Sequence, residues 1–391
     1  IGAGDTRALT PASGPGSAVK IVTFVPESHL EQSKVIETLD ECKIVAGTKL
    51  EEKIIRGRKF NPNNLFDINN PHVIRFIIDN DRTEECLATI FAHFVGSKKL
   101  EEEYESVVGS GFAGMEYHPN AIDYYDDHMC MINILKQCFP DAHLSLHAGE
   151  LNLELSQTSQ PLQTHVRKAV EVAGAERIGH GTCSKKDLNR DDLFKSMHEK
   201  DVHVEVNLNS NKYVVGVTED DHPIFEFINH GVSFSLCTDD QGVFGSSLFE
   251  EMKLACQEYG KKGDRNGAHH VLGYEELKRS VLNSARKCFL PGKSIYEHPD
   301  KFGRLVFKKD FISDDKPLSG LREIISFCLN PEFGEWAEDG VFGMLTTKQQ
   351  DFIKTSEKAQ LELDLEMAFI YFEQFVVPAL IRKKSGKIEA S

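Results

Sequence analysis

The chain reads as an α/β protein of the TIM-like (β/α)8 barrel class, one strand short of a full barrel and carrying extra C-terminal helices. Three observations predict this. Short apolar runs alternate with longer helical stretches from about residue 19 to about residue 300, a spacing that makes parallel βαβ units. The length, 391 residues, suits one large domain and leaves a tail beyond it. Helical patterns then dominate the last ~140 residues.

The elements follow in order. Residues 1–18 are rich in Gly, Pro, Ala and Ser and read as a flexible lead-in outside the fold. Candidate strands are Val19–Val25, Val73–Ile78, Val107–Phe112, Leu144–His147, Arg177–His180, Val202–Leu208 and Val232–Cys237. Candidate helices between them include Thr83–Phe94, Tyr124–Gln137, Gln163–Val172 and Asp191–Glu199. The strands number seven, where a closed barrel has eight. Residues 19–300 are therefore assigned to the barrel and 301–391 to a helical extension. Within the extension, Thr347–Ile381 reads as one long amphipathic helix or two in succession, kinked or ended at Pro378.

Composition narrows the function. Lys and Arg total 45 against 61 Asp and Glu, a net charge of -16. With no basic stripe, such a surface repels phosphate backbones and argues against nucleic-acid binding. No apolar run approaches the ~18 residues of a membrane helix, which argues against a membrane partner. The 9 cysteines are scattered without a CxxC pair, which points to a reducing compartment, the cytoplasm.

Four strand ends carry polar groups that a purely structural strand would not choose. In Leu144–Glu150 (LSLHAGE), the two-residue period sets Ser145 and His147 opposite Leu144 and Leu146. Glu150 follows on the loop. In Arg177–Gly181 (RIGHG), His180 sits between two glycines where a ligand can approach. In Phe234–Asp240 (FSLCTDD), two adjacent carboxylates end an apolar strand, costly unless paired or metal-bound. Val204–Asn211 (VEVNLNSN) ends in amides suited to supporting hydrogen bonds. Each alone reads equally well as a core histidine, a turn, a helix N-cap or a polar loop. Together they lie at the ends of successive strands, which converge in a barrel. Imidazole and carboxylate donors of this kind suit Zn²⁺ or a similar divalent ion, which activates water for hydrolysis.

These segments resemble the adenosine deaminase family of metal-dependent barrels, its bacterial and growth-factor-related branch in particular. The resemblance rests on LSLHAGE (144–150), AVEVAGAERIGHG (169–181), VEVNLNSNKYVVGV with HPI (204–224), GVSFSLCTDDQGVF (231–244) and LNSARKCFLPG (282–292). It implies one zinc ion per chain, held by His147 and Asp239. It implies that Glu150 protonates purine N1, that His180 orients the attacking hydroxide, and that Asp240 bonds purine N7. Gly114 would meet purine N3 through its backbone N–H. The implied reaction is hydrolytic deamination of adenosine or a related adenine nucleoside to inosine and ammonia, by hydroxide attack at purine C6.

One departure stands out. The family draws two further zinc ligands from an HxH motif on its first strand, and none of the 16 histidines here has that spacing. Val19–Leu30 resembles the family's second strand, so the expectation is a chain that begins at strand two. Two other readings follow: a catalytically impaired homologue or fragment acting as a nucleoside-binding or interaction protein, and a deaminase of AMP or N6-modified adenine nucleotides. The last would want a cation for a 5′-phosphate, for which Lys212 is the candidate.

Overall fold

The computed structural model describes residues 20–21, 75–84, 86–151, 162–218, 221–259, 263–265, 268–270, 272–311, 320–329, 340–378 and 381. The lead-in 1–18 and most of the first candidate strand lie outside them. Contacts divide the chain into two units: 1–58 with 71–273, and 59–70 with 274–391.

The first unit is built on one sheet of seven strands in sequential order. These are β1 (Lys20–Ile21), β2 (Phe76–Asp81), β3 (Val107–Ala113), β4 (Leu144–Ala148), β5 (Arg177–His180), β6 (His203–Val206) and β7 (Ser233–Leu236). β2 to β7 are parallel, each joined to its neighbour through helices. Sequential order without reversal is the winding of a barrel, in contrast to the reversing order of doubly wound sheets. β1 pairs antiparallel with β2, Lys20 opposite Asp79, which departs from the all-parallel expectation.

The helices of this unit are α1 (Leu87–Glu103), α2 (Pro119–Asp123), α3 (Tyr125–Cys138), α4 (His165–Glu171), α5 (Arg190–Glu199), α6 (Leu208–Val214), α7 (Ile224–Asn229), α8 (Gln241–Phe244) and α9 (Leu248–Glu258). A short hairpin, β8 (Gly263–Arg265) with β9 (Ala268–His270), follows. Leu144, Leu146 and Ala148 are fully buried along one face of β4. On the opposite face Ser145 donates to Glu205 Oε1 at 2.7 Å, and Arg177 Nε donates to the same oxygen at 2.7 Å. A polar layer thus lies in the sheet's inner side beneath the strand ends. β2 runs three residues past its apolar stretch because Asp79, Asn80 and Asp81 keep pairing with β3, and Asn80 Nδ2 donates to Gly111 O at 2.9 Å.

The second unit holds α10 (Tyr274–Lys287), α11 (Leu321–Leu329), α12 (Gly340–Met344), α13 (Thr347–Lys354) and α14 (Glu357–Tyr371). Its core includes Ile295, Phe311, Ile325, Ile353, Leu363 and Met367. Two successive helices, α13 and α14, occupy the long C-terminal pattern. Ser356 breaks it by accepting from Ala359 N as an N-cap. Glu366 is fully buried and is satisfied by Arg322, at 3.0 and 2.8 Å, and by the Tyr296 hydroxyl at 2.7 Å. No helix of the described residues is long and apolar enough to cross a membrane.

Candidate active site

The strand ends of β4 and β5 and the turn after β7 bring the sequence-predicted groups together. His147, Glu150 and His180 each offer a ligand atom, and these atoms lie within 4.8 Å of one another. The His147 and His180 rings meet edge to face at 4.8 Å. His180 Nδ1 is 3.8 Å from Glu150 Oε1, and its Nε2 is 3.8 Å from Asp239 Oδ2. Four of the six predicted residues thus share one cluster.

Backbone conformation explains how they converge. His180 (φ 68°) and Asp239 (φ 54°) both adopt the left-handed region, with Asp201 the third non-glycine residue to do so among those described. Such a backbone costs of order 1–3 kcal/mol and persists where the surroundings impose it, often at functional sites. Gly179 supplies room: a Cβ there would lie 2.7 Å from His147 Cδ2, so only glycine lets the imidazole lie across β5. Gly114 follows β3 at φ 103°, beside the Asp81 carboxylate. Asp240 caps α8, its carbonyl accepting from Val243 N and Phe244 N.

Electrostatics separate the groups into distinct protonation states. Burial, with Asp239 and Glu116 adding like charge, pushes the Glu150 carboxyl up to about 8, so it holds its proton near neutral pH. Burial pushes His147 down to about 4, aided by His180 and Arg82. Burial also pushes His180 down to about 4. Both imidazoles are therefore neutral, the state in which a ring nitrogen can hold a metal. A proton-bearing carboxylic acid beside neutral imidazoles is a donor set able to give a proton and to hold a cation at once.

Sequence reasoning missed the support beneath Glu150. Glu116 is fully buried; its carboxylate accepts from Gly149 N at 3.0 Å, Glu150 N at 3.1 Å and His165 Nδ1 at 2.8 Å. Burial alone would raise it, but Arg82 and His165 outweigh this and hold it well below the usual carboxylate range. Arg82, itself fully buried, also donates to Phe112 O and to His147 O. The signal was a lone Glu two residues past Gly114 at a strand's end. Glu205, opposite His147 across β5, was likewise not singled out. Burial pushes it up, but Arg177, Ser145 and His147 outweigh that and hold it below the usual range. Lys212 is engaged at 2.7 Å with Glu258.

Comparison with known proteins identifies the family. A family model described as adenosine deaminase matches residues 33–297. Adenosine deaminase of Xenopus tropicalis is 35% identical over 171 residues, covering 42% of this chain and 41% of the relative. Adenosine deaminase of Escherichia coli (strain SMS-3-5 / SECEC) is 26% identical over 280 residues, 66% of this chain and 75% of the relative. Among solved structures, the Arabidopsis N6-mAMP deaminase is 21% identical with a TM-score of 0.43, covering 56% of this chain and 55% of that one. The match spans about two fifths of the length of the Xenopus relative. With 33–297 matched to the family model, the chain belongs to the adenosine deaminase family.

Proposed function

We propose that this chain carries out hydrolytic deamination of adenosine or a related adenine nucleoside, giving inosine and ammonia. The observation that carries the reading is one cluster in which a protonated carboxylic acid, Glu150, stands beside neutral His147 and His180 and the Asp239 carboxylate.

The donor set suits a divalent cation, with zinc the first choice for imidazole and carboxylate ligands. His147 and Asp239 would hold it. When bound, such an ion supplies a water acidic enough to act as nucleophile at neutral pH. The protein's own groups do the rest. Glu150 gives its proton to purine N1, which draws electrons from the ring and opens C6 to attack. His180, neutral and buried, offers an N–H towards the oxygen that attacks. The Gly114 N–H donates to purine N3, and Asp240 faces purine N7, an acceptor that it can hold only through a carboxyl O–H. The C6–N bond then breaks: the amino group takes one proton of the attacking water and leaves as ammonia, the water's other proton returns to Glu150, and C6 keeps the oxygen as the carbonyl of inosine. Because no HxH pair is present in the sequence, His147 and Asp239 form a small ligand set and zinc binding is expected to be weak.

Nucleoside is favoured over nucleotide, since Lys212 is engaged by Glu258 and thereby neutralised as a phosphate anchor. Initial rates on adenosine, AMP and N6-methylated forms, measured with added Zn²⁺, test the assignment. Adenosine is expected to turn over fastest; faster turnover of AMP moves the substrate class to nucleotides.

A further inference from the structure

His180 needs its one ring proton on a defined nitrogen, and the hydrogen bonds behind it decide which. The chain starts at a group that cannot reverse. The backbone N–H of Ile224, at the start of α7, donates to His222 Nδ1 at 3.1 Å. Burial, with Lys185 and His180 nearby, pushes His222 down to about 3, so the ring is neutral. With Nδ1 accepting, the proton sits on Nε2. His222 Nε2 faces the Asn211 side chain at 3.1 Å and must donate, so the facing atom is the amide oxygen, Oδ1. The amide nitrogen of Asn211 then faces His180 Nδ1 at 2.9 Å and donates to it. His180 Nδ1 is an acceptor, and its proton lies on Nε2.

Every member of this relay is buried: His180 and Asn211 fully, His222 at 2% exposure. Water therefore does not compete for its hydrogen bonds. Asn207, four residues before Asn211 and on the same face of the helical turn, places its own Nδ2 3.3 Å from the same His180 Nδ1. Its Oδ1 is buried without a partner, as is His180 Nε2. The Asn207 amide could turn over and accept from an Nδ1–H, and this would favour the opposite tautomer. Asn211 cannot follow, because His222 holds its oxygen. The unpartnered Nε2–H is left aimed into the cluster, 3.8 Å from Asp239 Oδ2.

We infer that Asn211 and His222 are positioning residues that hold His180 in its Nε2–H tautomer, with that proton directed at the space in front of Asp239. The task given to the proton, orienting the attacking oxygen, rests on the deaminase reading above. The tautomer itself rests on hydrogen bonding alone. The same proton placement makes His180 Nε2 a donor and excludes it from the cation's ligands, since a protonated nitrogen has no lone pair to give.

The test is ring-nitrogen NMR on the whole chain, metal-free and labelled with ¹⁵N-histidine. Protonated and bare ring nitrogens resonate in separate regions, and the signal lost in His180→Gln identifies His180. Wild type is expected to show a protonated Nε2 and a bare Nδ1. In Asn211→Asp a carboxylate faces Nδ1 and accepts, so the proton is expected to move to Nδ1. His222→Gln can still accept from Ile224 N and donate to Asn211, and is expected to keep the wild-type pattern. His222→Leu breaks the relay and is expected to lose that pattern. The His222 pair decides the matter if Asn211→Asp fails to fold by circular dichroism. A wild-type proton on Nδ1, or an unchanged Nε2–H pattern in His222→Leu, overturns the inference. In zinc-loaded protein, His222→Leu is expected to lower kcat roughly 10–100-fold with KM nearly constant, and His222→Gln to restore most of it. Absence of turnover in wild type would remove the deaminase reading and leave the NMR result standing.

Discussion

Replacing Glu150 by Gln is predicted to stabilise the metal-free protein, and to do so only above mildly acidic pH. In the folded chain the Glu150 carboxyl is pushed from 4.5 up to about 8, chiefly by burial. Between those values the folded state keeps a proton that the unfolded state has released. Stability therefore falls as pH rises through this window, and the full penalty is present above about pH 8. At ~1.4 kcal/mol per tenfold change in proton affinity, the penalty has a ceiling of about 5 kcal/mol. The side chain keeps 18% exposure, and water reaching it reduces this to roughly 2–4 kcal/mol. Glutamine matches the shape of the protonated acid and does not titrate. Urea unfolding followed by circular dichroism, with chelator present, gives the difference between variant and wild type at pH 4.5, 6.5 and 8.5. The expected difference is near zero at the lowest pH and grows to the stated range at the highest. A difference that is flat with pH, or a Gln variant that becomes relatively less stable as pH rises, would refute the placement of a strained acid here.

Other consequences concern the groups around it. Glu116→Gln leaves Arg82 buried without its countercharge and is expected to cost about 3–5 kcal/mol by urea unfolding at pH 7. Because Glu116 is held below its usual range, its contribution is complete above about pH 4.5 and fades on acidification; the deficit of the variant is expected to shrink in the same direction. Gly179→Ala drives a methyl to 2.7 Å from His147 Cδ2, so zinc affinity measured by calorimetry is expected to fall roughly 10–100-fold. Unchanged affinity would mean the imidazole is not held across β5. Leu363→Ala, in the second unit, removes a fully buried side chain and is expected to cost about 2–5 kcal/mol of stability by thermal unfolding.

Much of the parallel sheet was legible because buried strands leave an apolar run between helical stretches. Arg177–His180 is a strand as read, and Leu144–His147 extends by one residue to Ala148. The second strand was ended three residues early. Its apolar run suggested Val73–Ile78, while pairing continues through the polar Asp79, Asn80 and Asp81, held by β3 and not by burial of their side chains. The helix after it was read as Thr83–Phe94, yet α1 continues to Glu103, through Lys98 and Glu101, which pair at 3.2 Å. His147, Glu150, His180 and Asp239 could be selected because each stands where an apolar strand should have stopped. The left-handed backbone of His180 and Asp239 left no trace, since neither is glycine. The Glu116 clamp and the His222–Asn211 relay were hidden for another reason. Their partners lie 33 and 31 residues away, and only the pairing of neighbouring strands brings their ends together.

The most direct test of the central claim, that these strand ends build a metal-dependent deaminating centre, is ammonia release from adenosine by the zinc-loaded chain beside its His147→Ala and Asp239→Ala variants. Zinc-dependent release by the wild type, lost with chelator and reduced at least ~100-fold in each folded variant, is the predicted result. Release that ignores zinc and both substitutions, or none from a folded, zinc-loaded wild type, would contradict it.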